Sequence, residues 1–182
     1  MATLKTDDLL LRPAVPDLAQ WVLDYYLKNR EFLAPYEPNH EAAYFTLPEQ
    51  RRLLTCDATA FAAREGARFF ISLQSDPERV IGTVALNNIV WGCFASCHLG
   101  YKLDEDYLNR GYMTQAVTAA IQFAFGTLRL HRIEANVMPR NKRSLRVLEK
   151  CGFREEGLAR SYLKINGVWE DHVHMVRLSD DV

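Results

Sequence analysis

One change of period in the middle of the chain limits the fold more than any other feature. Three β-rich runs, at 68–74, 80–90 and 94–103, lead through a polar, glycine-containing turn into a helix. In that helix Met113, Ala116, Val117, Ala120, Ile121 and Ala124 fall on one face. Ser75-Asp76-Pro77-Glu78-Arg79 and Trp91-Gly92 supply short connections between the runs, as antiparallel neighbours require. Strands of this kind feeding an apolar-faced helix exclude an all-helical bundle and an all-β sandwich.

The flanks extend the pattern. Residues 8–12 read as a first strand stopped by Pro13, and Asp17 is placed to cap a helix carrying Leu18, Trp21, Val22, Tyr25 and Tyr26. Two prolines make 34–39 a loop. Thr46, with Glu49 three residues later, has the form of a capping box opening a second helix that fades before Gly66. Beyond the long helix, 133–137 reads as a strand and 141–150 as a helix ended by Gly152 in the left-handed conformation. Asn166-Gly167 marks the tight turn of a terminal hairpin. The predicted order is strand, two helices, three antiparallel strands, helix, strand, helix, hairpin: an α+β domain around a mixed sheet. The 182 residues suit one such domain, spanning 1–182, and would cramp two.

Hydrophobic residues at 48% and charged residues at 25% match a folded globular chain rather than a disordered one. No apolar run approaches the ~18 residues that span a bilayer, so no membrane association is expected. Met1-Ala2-Thr3-Leu4-Lys5-Thr6-Asp7-Asp8 lacks a basic stretch followed by an apolar one, so no signal peptide is expected. The four cysteines are accordingly read as reduced thiols of a cytoplasmic protein. Cys93 and Cys97 share a face of the third run, with His98 on the other, which favours packing over a metal site; no metal is expected. The net charge of −1 is too balanced for a protein whose main partner is bare nucleic acid.

The chemistry is expected at Tyr101-Lys102-Leu103-Asp104-Glu105-Asp106-Tyr107-Leu108-Asn109-Arg110-Gly111-Tyr112-Met113-Thr114, where a strand turns directly into the long helix. The first amides of a helix have no internal acceptor and carry the positive end of its dipole, so such a turn can wrap a phosphate. Gly111 would let the backbone approach it closely. Between Arg129 and Arg154 eight Lys or Arg stand against two acids, while the remainder of the chain carries an excess of seven acids. A basic segment beside a phosphate-binding turn fits a polyanionic cofactor, and the acidic remainder favours a cationic second substrate. The basic cluster lacks interleaved aromatics, which argues against a nucleic-acid reader.

The turn resembles the acetyl-CoA pyrophosphate loop of the GNAT family of N-acetyltransferases, usually Gln/Arg-x-x-Gly-x-Gly/Ala. Here it stands as Leu108-Asn109-Arg110-Gly111-Tyr112-Met113: the central glycine matches, whereas Leu108 and Met113 depart. Asn136, Asn141-Lys142-Arg143-Ser144 and Glu149-Lys150-Cys151-Gly152-Phe153 match a second family segment. Leu86-Asn87-Asn88-Ile89-Val90, Leu99-Gly100-Tyr101, Met138-Pro139-Arg140, Asp171-His172-Val173 and the early Phe32-Leu33-Ala34-Pro35-Tyr36-Glu37-Pro38 are similar to the RimJ/RimL branch, ribosomal-protein alanine and serine N-acetyltransferases. The likeness covers nearly the whole chain and is weakest between Asn39 and Arg68.

The resemblance implies a mostly antiparallel mixed sheet with flanking helices and a splayed central strand pair that binds acetyl-CoA. It implies direct transfer of acetyl to the N-terminal amine of a ribosomal protein beginning with Ala or Ser, by a monomer or homodimer. Pantetheine would pair with the strand ending near Leu103, whose backbone from Tyr101 onward can polarise the thioester carbonyl. Amides of Asn109, Arg110, Gly111, Tyr112, Met113 and Thr114 would hold the pyrophosphate, and Asn141 the pantetheine arm. Ser144 matches the residue placed near the departing thiolate; Leu148 stands where many relatives have a tyrosine. No glutamate occupies the strand position where many relatives keep a general base, leaving Asp171 and Glu37 as candidates. Tyr36, Glu37, Asn87 and Trp91, with Tyr101, would wall the peptide slot. An α-amine titrating near ~8 rather than the ~10.4 of lysine is easier to deprotonate by about 3.3 kcal/mol, so a water relay could serve. Two other readings are compatible with the sequence: an acetyltransferase for a polyamine, aminoglycoside or other small amine, and a non-catalytic acetyl-CoA-binding factor in ribosome assembly.

Overall fold

A computed structural model of the protein describes residues 3–179; Met1, Ala2 and the last three positions of the expected 1–182 domain lie outside the described residues. Strands β1 (Leu4–Lys5) and β2 (Leu9–Pro13) precede helices α1 (Ala19–Lys28), α2 (Arg30–Leu33) and α3 (Leu47–Ala62). The meander β3 (Ala67–Leu73), β4 (Gly82–Val90) and β5 (Ser96–Leu103) leads to α4 (Tyr112–Gln122). Then follow β6 (Arg132–Val137), α5 (Lys142–Lys150), β7 (Arg154–Ile165) and β8 (Val168–Leu178).

All eight strands form one sheet in the order β1-β2-β3-β4-β5-β6-β8-β7. Every neighbouring pair is antiparallel except β5 and β6, whose parallel pairing is limited to Ser96–Arg132, Cys97–Ile133 and His98–Glu134. The α4 crossover makes that one parallel joint possible. This is the mixed, mostly antiparallel architecture expected.

Side chains alternate across a strand, so the sheet sorts its residues onto two faces. Leu9, Leu11, Phe69, Ile71, Val84 and Leu86 pack against Met113, Ala116, Val117 and Ala120 of α4. On the other face Phe70 meets Val22, Tyr25 and Tyr26 of α1 and Leu54 of α3. Those two helices cover the β2–β4 side, with Lys102 of β5 over the Tyr26 ring at their margin. Toward β6 and β8 the same face becomes polar: Asn87 pairs across to His98, His98 to Glu134, and Asn136 to His174.

Several local readings hold and several change. Asn166 and Gly167 both take positive φ (50° and 86°) between Ile165 and Val168, the geometry that matches the strand twist in a two-residue turn. Gly152 follows α5 at φ 80°. Asp17 caps nothing: Pro16–Leu18 forms a 3-10 turn ahead of α1, whose N-cap is Leu18. The Thr46–Glu49 capping box does not close, although α3 starts where it was expected. Thr46 Oγ1 donates back to the Ala43 carbonyl at 2.7 Å, and Glu49 accepts from Arg52. The third run begins at Ser96, because Ala95 turns through φ 41°; Cys93 therefore lies exposed in the turn rather than on a face with the buried Cys97. β1 and α2 were not foreseen: at two and four residues they are too short for any periodicity to register.

Candidate active site

The chain from β5 to α4 is fixed before it reaches the glycine. Lys28 of α1 pairs with Asp104 at 2.8 Å, Asp104 accepts from the Asp106 N–H at 3.0 Å, and buried Asn29 accepts from the Glu105 N–H at 3.2 Å. Asn109 and Gly111 then adopt φ 60° and 80°, turning the backbone so that α4 begins with its amides outward. The first intrahelical bond runs from Gln115 N–H to the Gly111 carbonyl, so the amides of Tyr112, Met113 and Thr114 have no partner within the helix. A side chain built at Gly111 would meet nothing within 4 Å. Glycine is required there by backbone conformation, and the space before it is open to a ligand. Arg110 from the turn, with Lys142, Arg143, Arg146 and Lys150 from α5, borders the same cleft. The basic excess seen in the sequence thus lies where a polyanion would meet helix-terminal amides.

Beyond His98 and Glu134 the two central strands part. Leu99–Leu103 on one side and Ala135–Met138 on the other line a cleft of about 620 Å³ that opens toward both faces of the sheet.

On the α5 side stands Ser144. The Asn141 side chain accepts from the Ser144 N–H at 3.2 Å and so caps α5. Tyr101 donates to the Ser144 carbonyl at 2.9 Å, with its oxygen 2.8 Å from Ser144 Oγ. Either hydroxyl can donate in that second contact. Burial pushes the Tyr101 phenol well above its usual range, partly opposed by the Ser144 contact, so it stays protonated. Tyr101 entered the sequence reading for its backbone and as a slot wall; the structure adds a phenol that orients Ser144.

The opposite wall is assembled from distant segments. Asn166, at the hairpin turn, donates to the Ala34 carbonyl at 2.6 Å, and Arg140 donates to the Pro35 carbonyl at 3.1 Å while pairing with Glu170 at 2.5 Å. These bonds hold the 34–37 segment beside the cleft, where Tyr36 and Glu37 both line it. Lys102 forms an ion pair with Glu37. Asn136 and His172 complete this wall and were not singled out as site residues.

Three residues named from the sequence stand apart. Asp171 is outside the central cleft; its Oδ1 accepts from the Ser161 N–H at 2.8 Å and holds an irregular step of β7 where Ser161 has φ 46°. Trp91 is exposed, but its indole N–H donates to the Arg64 carbonyl at 2.9 Å and its ring lies 4.2 Å from the Arg64 guanidinium, away from the cleft. Asn87 lies on the polar face opposite His98, short of the cleft. Burial pushes the Cys97 thiol up to about 12, which leaves it protonated and inert in the core. Among the described residues no group of three or more His, Cys, Asp or Glu is arranged to hold a metal, and no helix is long and apolar enough to cross a membrane.

Comparison with known proteins agrees with this geometry. The profile of the acetyltransferase (GNAT) domain matches residues 8–154. The chain is 40% identical over 173 residues to the [ribosomal protein uS5]-alanine N-acetyltransferase of Escherichia coli strain K12, covering 93% of this chain and 87% of that one. Among solved structures, the ribosomal-protein-S5-alanine acetyltransferase of Vibrio fischeri superposes with a TM-score of 0.95 at 34% identity, covering 100% of this chain and 98% of that chain. Mycobacterium smegmatis RimJ, solved in complex with CoA-disulfide, superposes with a TM-score of 0.90 at 26% identity, covering 100% of this chain and 88% of that chain.

Proposed function

The chain belongs to the GNAT acetyltransferase family, and from that premise we propose that it transfers acetyl from acetyl-CoA directly to the N-terminal α-amine of a ribosomal protein whose first residue is alanine or serine. The observation that carries the reading is the parted β5–β6 pair with an amide- and cation-lined end and a separate acceptor wall. Such a cleft admits a long anionic thioester along one axis and an amine from the other side. The identity to the uS5-alanine enzyme supports the acceptor class.

On this reading the amides from Asn109 to Thr114 hold the pyrophosphate and the basic residues of α5 neutralise it. Backbone from Tyr101 to Leu103 pairs with the pantetheine arm and polarises the thioester carbonyl. Asn141 keeps α5 wound so that Ser144 faces the sulfur, and it contacts the arm. Ser144, held by Tyr101, delivers a proton to the departing thiolate. Tyr36 and Glu37 flank the incoming peptide. The carboxylates of Glu37 and Asp171 are each already bonded, to Lys102 and to the Ser161 amide respectively.

The test is incubation with acetyl-CoA and peptides beginning with Ala, beginning with Ser, or carrying a single lysine behind a blocked N-terminus, with the added acetyl located by mass spectrometry. Acetyl on the α-amine of the first two is expected. Acetylation of lysine or spermidine alone would overturn the acceptor assignment.

A further inference from the structure

The cleft needs a group that accepts a proton from the amine, and the carboxylates near it are engaged. Glu37 pairs with Lys102, Glu170 with Arg140, and Asp171 accepts from Ser161. Glu134 takes the Arg132 guanidinium on one oxygen and His174 at 2.6 Å on the other. Strand alternation singles out a different residue. Asp171 and His172 are neighbours on β8, so only one of them can face the gap. That one is His172, which lines the cleft and is only 3% exposed.

Its ring is oriented for the task. Nδ1 lies 3.0 Å from the Glu170 carbonyl, which can only accept, so Nδ1 carries the proton and Nε2 presents a lone pair. Nε2 has no hydrogen-bond partner among the described residues. Beside it, Tyr162 lies 5.7 Å away ring to ring and accepts from Asn136 Nδ2 at 3.3 Å. Asn136 Oδ1 is buried in the same cleft with no partner. Two unfilled acceptors on one face of the same cleft suit an ammonium, which brings only donors. The sheet also separates the two proton sites. Tyr101, which holds Ser144, pairs across to Val84 on the α4 face, whereas His172 shares the opposite face with His174 and Asn136.

Resting on the acetyltransfer reading above, we propose that His172 Nε2 is the general base for the acceptor amine, with Asn136 Oδ1 holding the same nitrogen. The ammonium gives one proton to Nε2, and the freed lone pair forms the C–N bond to the thioester carbon. The C–S bond breaks with its electron pair on sulfur. The second proton lost by nitrogen passes to solvent, Ser144 Oγ–H protonates the sulfur and is refilled from water, and the imidazolium returns its proton to water. Tyr162 and the Glu170 carbonyl lie against the ring, and Glu37 and Lys102 line the same cleft.

His172→Gln keeps bulk but cannot take a proton at neutral pH. On an Ala-first peptide its kcat should fall about hundredfold. On the same peptide beginning with trifluoroalanine, whose amine is already neutral at pH 7, the loss should shrink to about threefold. Equal losses on both peptides, or no loss on the first, would overturn the proposal. Acetyl-CoA affinity by calorimetry should be unchanged. Nitrogen NMR of the wild-type protein without substrate needs no variant: the His172 ring should carry its proton on Nδ1, and a proton on Nε2 would overturn the assignment. Should the wild type acetylate only spermidine, the acceptor reading fails by itself. The same hundredfold loss in His172→Gln is then required on spermidine.

Discussion

The cofactor end and the acceptor wall of the cleft are built on opposite principles. The first is nearly continuous in sequence: one turn and the helix it opens, plus the α5 helix some thirty residues on, with much of the binding assigned to backbone amides. The second draws Pro35, Glu37, Lys102, Arg140, Asn166 and His172 from positions up to 137 residues apart, and it works largely through side chains. A backbone cradle tolerates side-chain drift as long as its dihedrals survive. A wall of side chains can be retuned one residue at a time. Within one superfamily, a fixed cosubstrate and a variable acceptor are what this division would permit.

Three substitutions test that separation, beginning with the deepest loss. Ser144→Ala should lower kcat about hundredfold by removing the proton donor, with acetyl-CoA affinity intact by calorimetry; parallel loss of affinity would make Ser144 part of the cradle instead. Gly111→Val forces a β-branched residue into φ 80°, a strain of about 1–3 kcal/mol. The KM for acetyl-CoA should rise about ten- to hundredfold while the peptide KM stays put. Asn166→Ala releases the 34–37 segment at one anchor worth about 1 kcal/mol. The expected mirror image is an about fivefold higher peptide KM with acetyl-CoA unaffected. If each variant raised both KM values equally, the two ends would not be separable.

The smallest effect concerns stability on the polar face. Against the upward pull of partial burial, hydrogen bonds from Arg132 and His174 hold the Glu134 carboxyl below the usual range. A depressed carboxyl contributes fully above the ordinary glutamate value near ~4.3 and loses that contribution as pH falls through its lowered value. Glu134→Gln should therefore lower Tm by about 2–4 °C at pH 7, and the gap to wild type should close toward pH 3. A gap that widened in acid would reverse the sign assigned here.

The same contrast explains what could be read from the sequence. Period and turn chemistry are local, so the strand–turn–helix at Gly111 and the Asn166-Gly167 hairpin were legible. The α5 serine needed the family resemblance, since its geometry depends on Tyr101 from across the cleft. Asp171 was a base candidate from the sequence, whereas His172 was not weighed as one. The information that separates them is which face of β8 packs where, and that follows from the Val137–Val173 register. That Arg140 and Asn166 anchor the 34–37 segment gave no signal, because each does so by holding a carbonyl more than a hundred residues away.

The three-pair joint between β5 and β6 has a further consequence. An open sheet ordinarily presents two bare rims, at its first and last strands; this one presents four. The inner two, from Leu99 to Leu103 and from Ala135 to Met138, carry the same hunger for hydrogen bonds that makes a bare rim a seed for aggregation. They line a cleft of about 620 Å³, a volume suited to one narrow chain rather than to another protein's sheet. A hazard elsewhere on such a molecule becomes, at this depth, a means of selecting visitors by thickness.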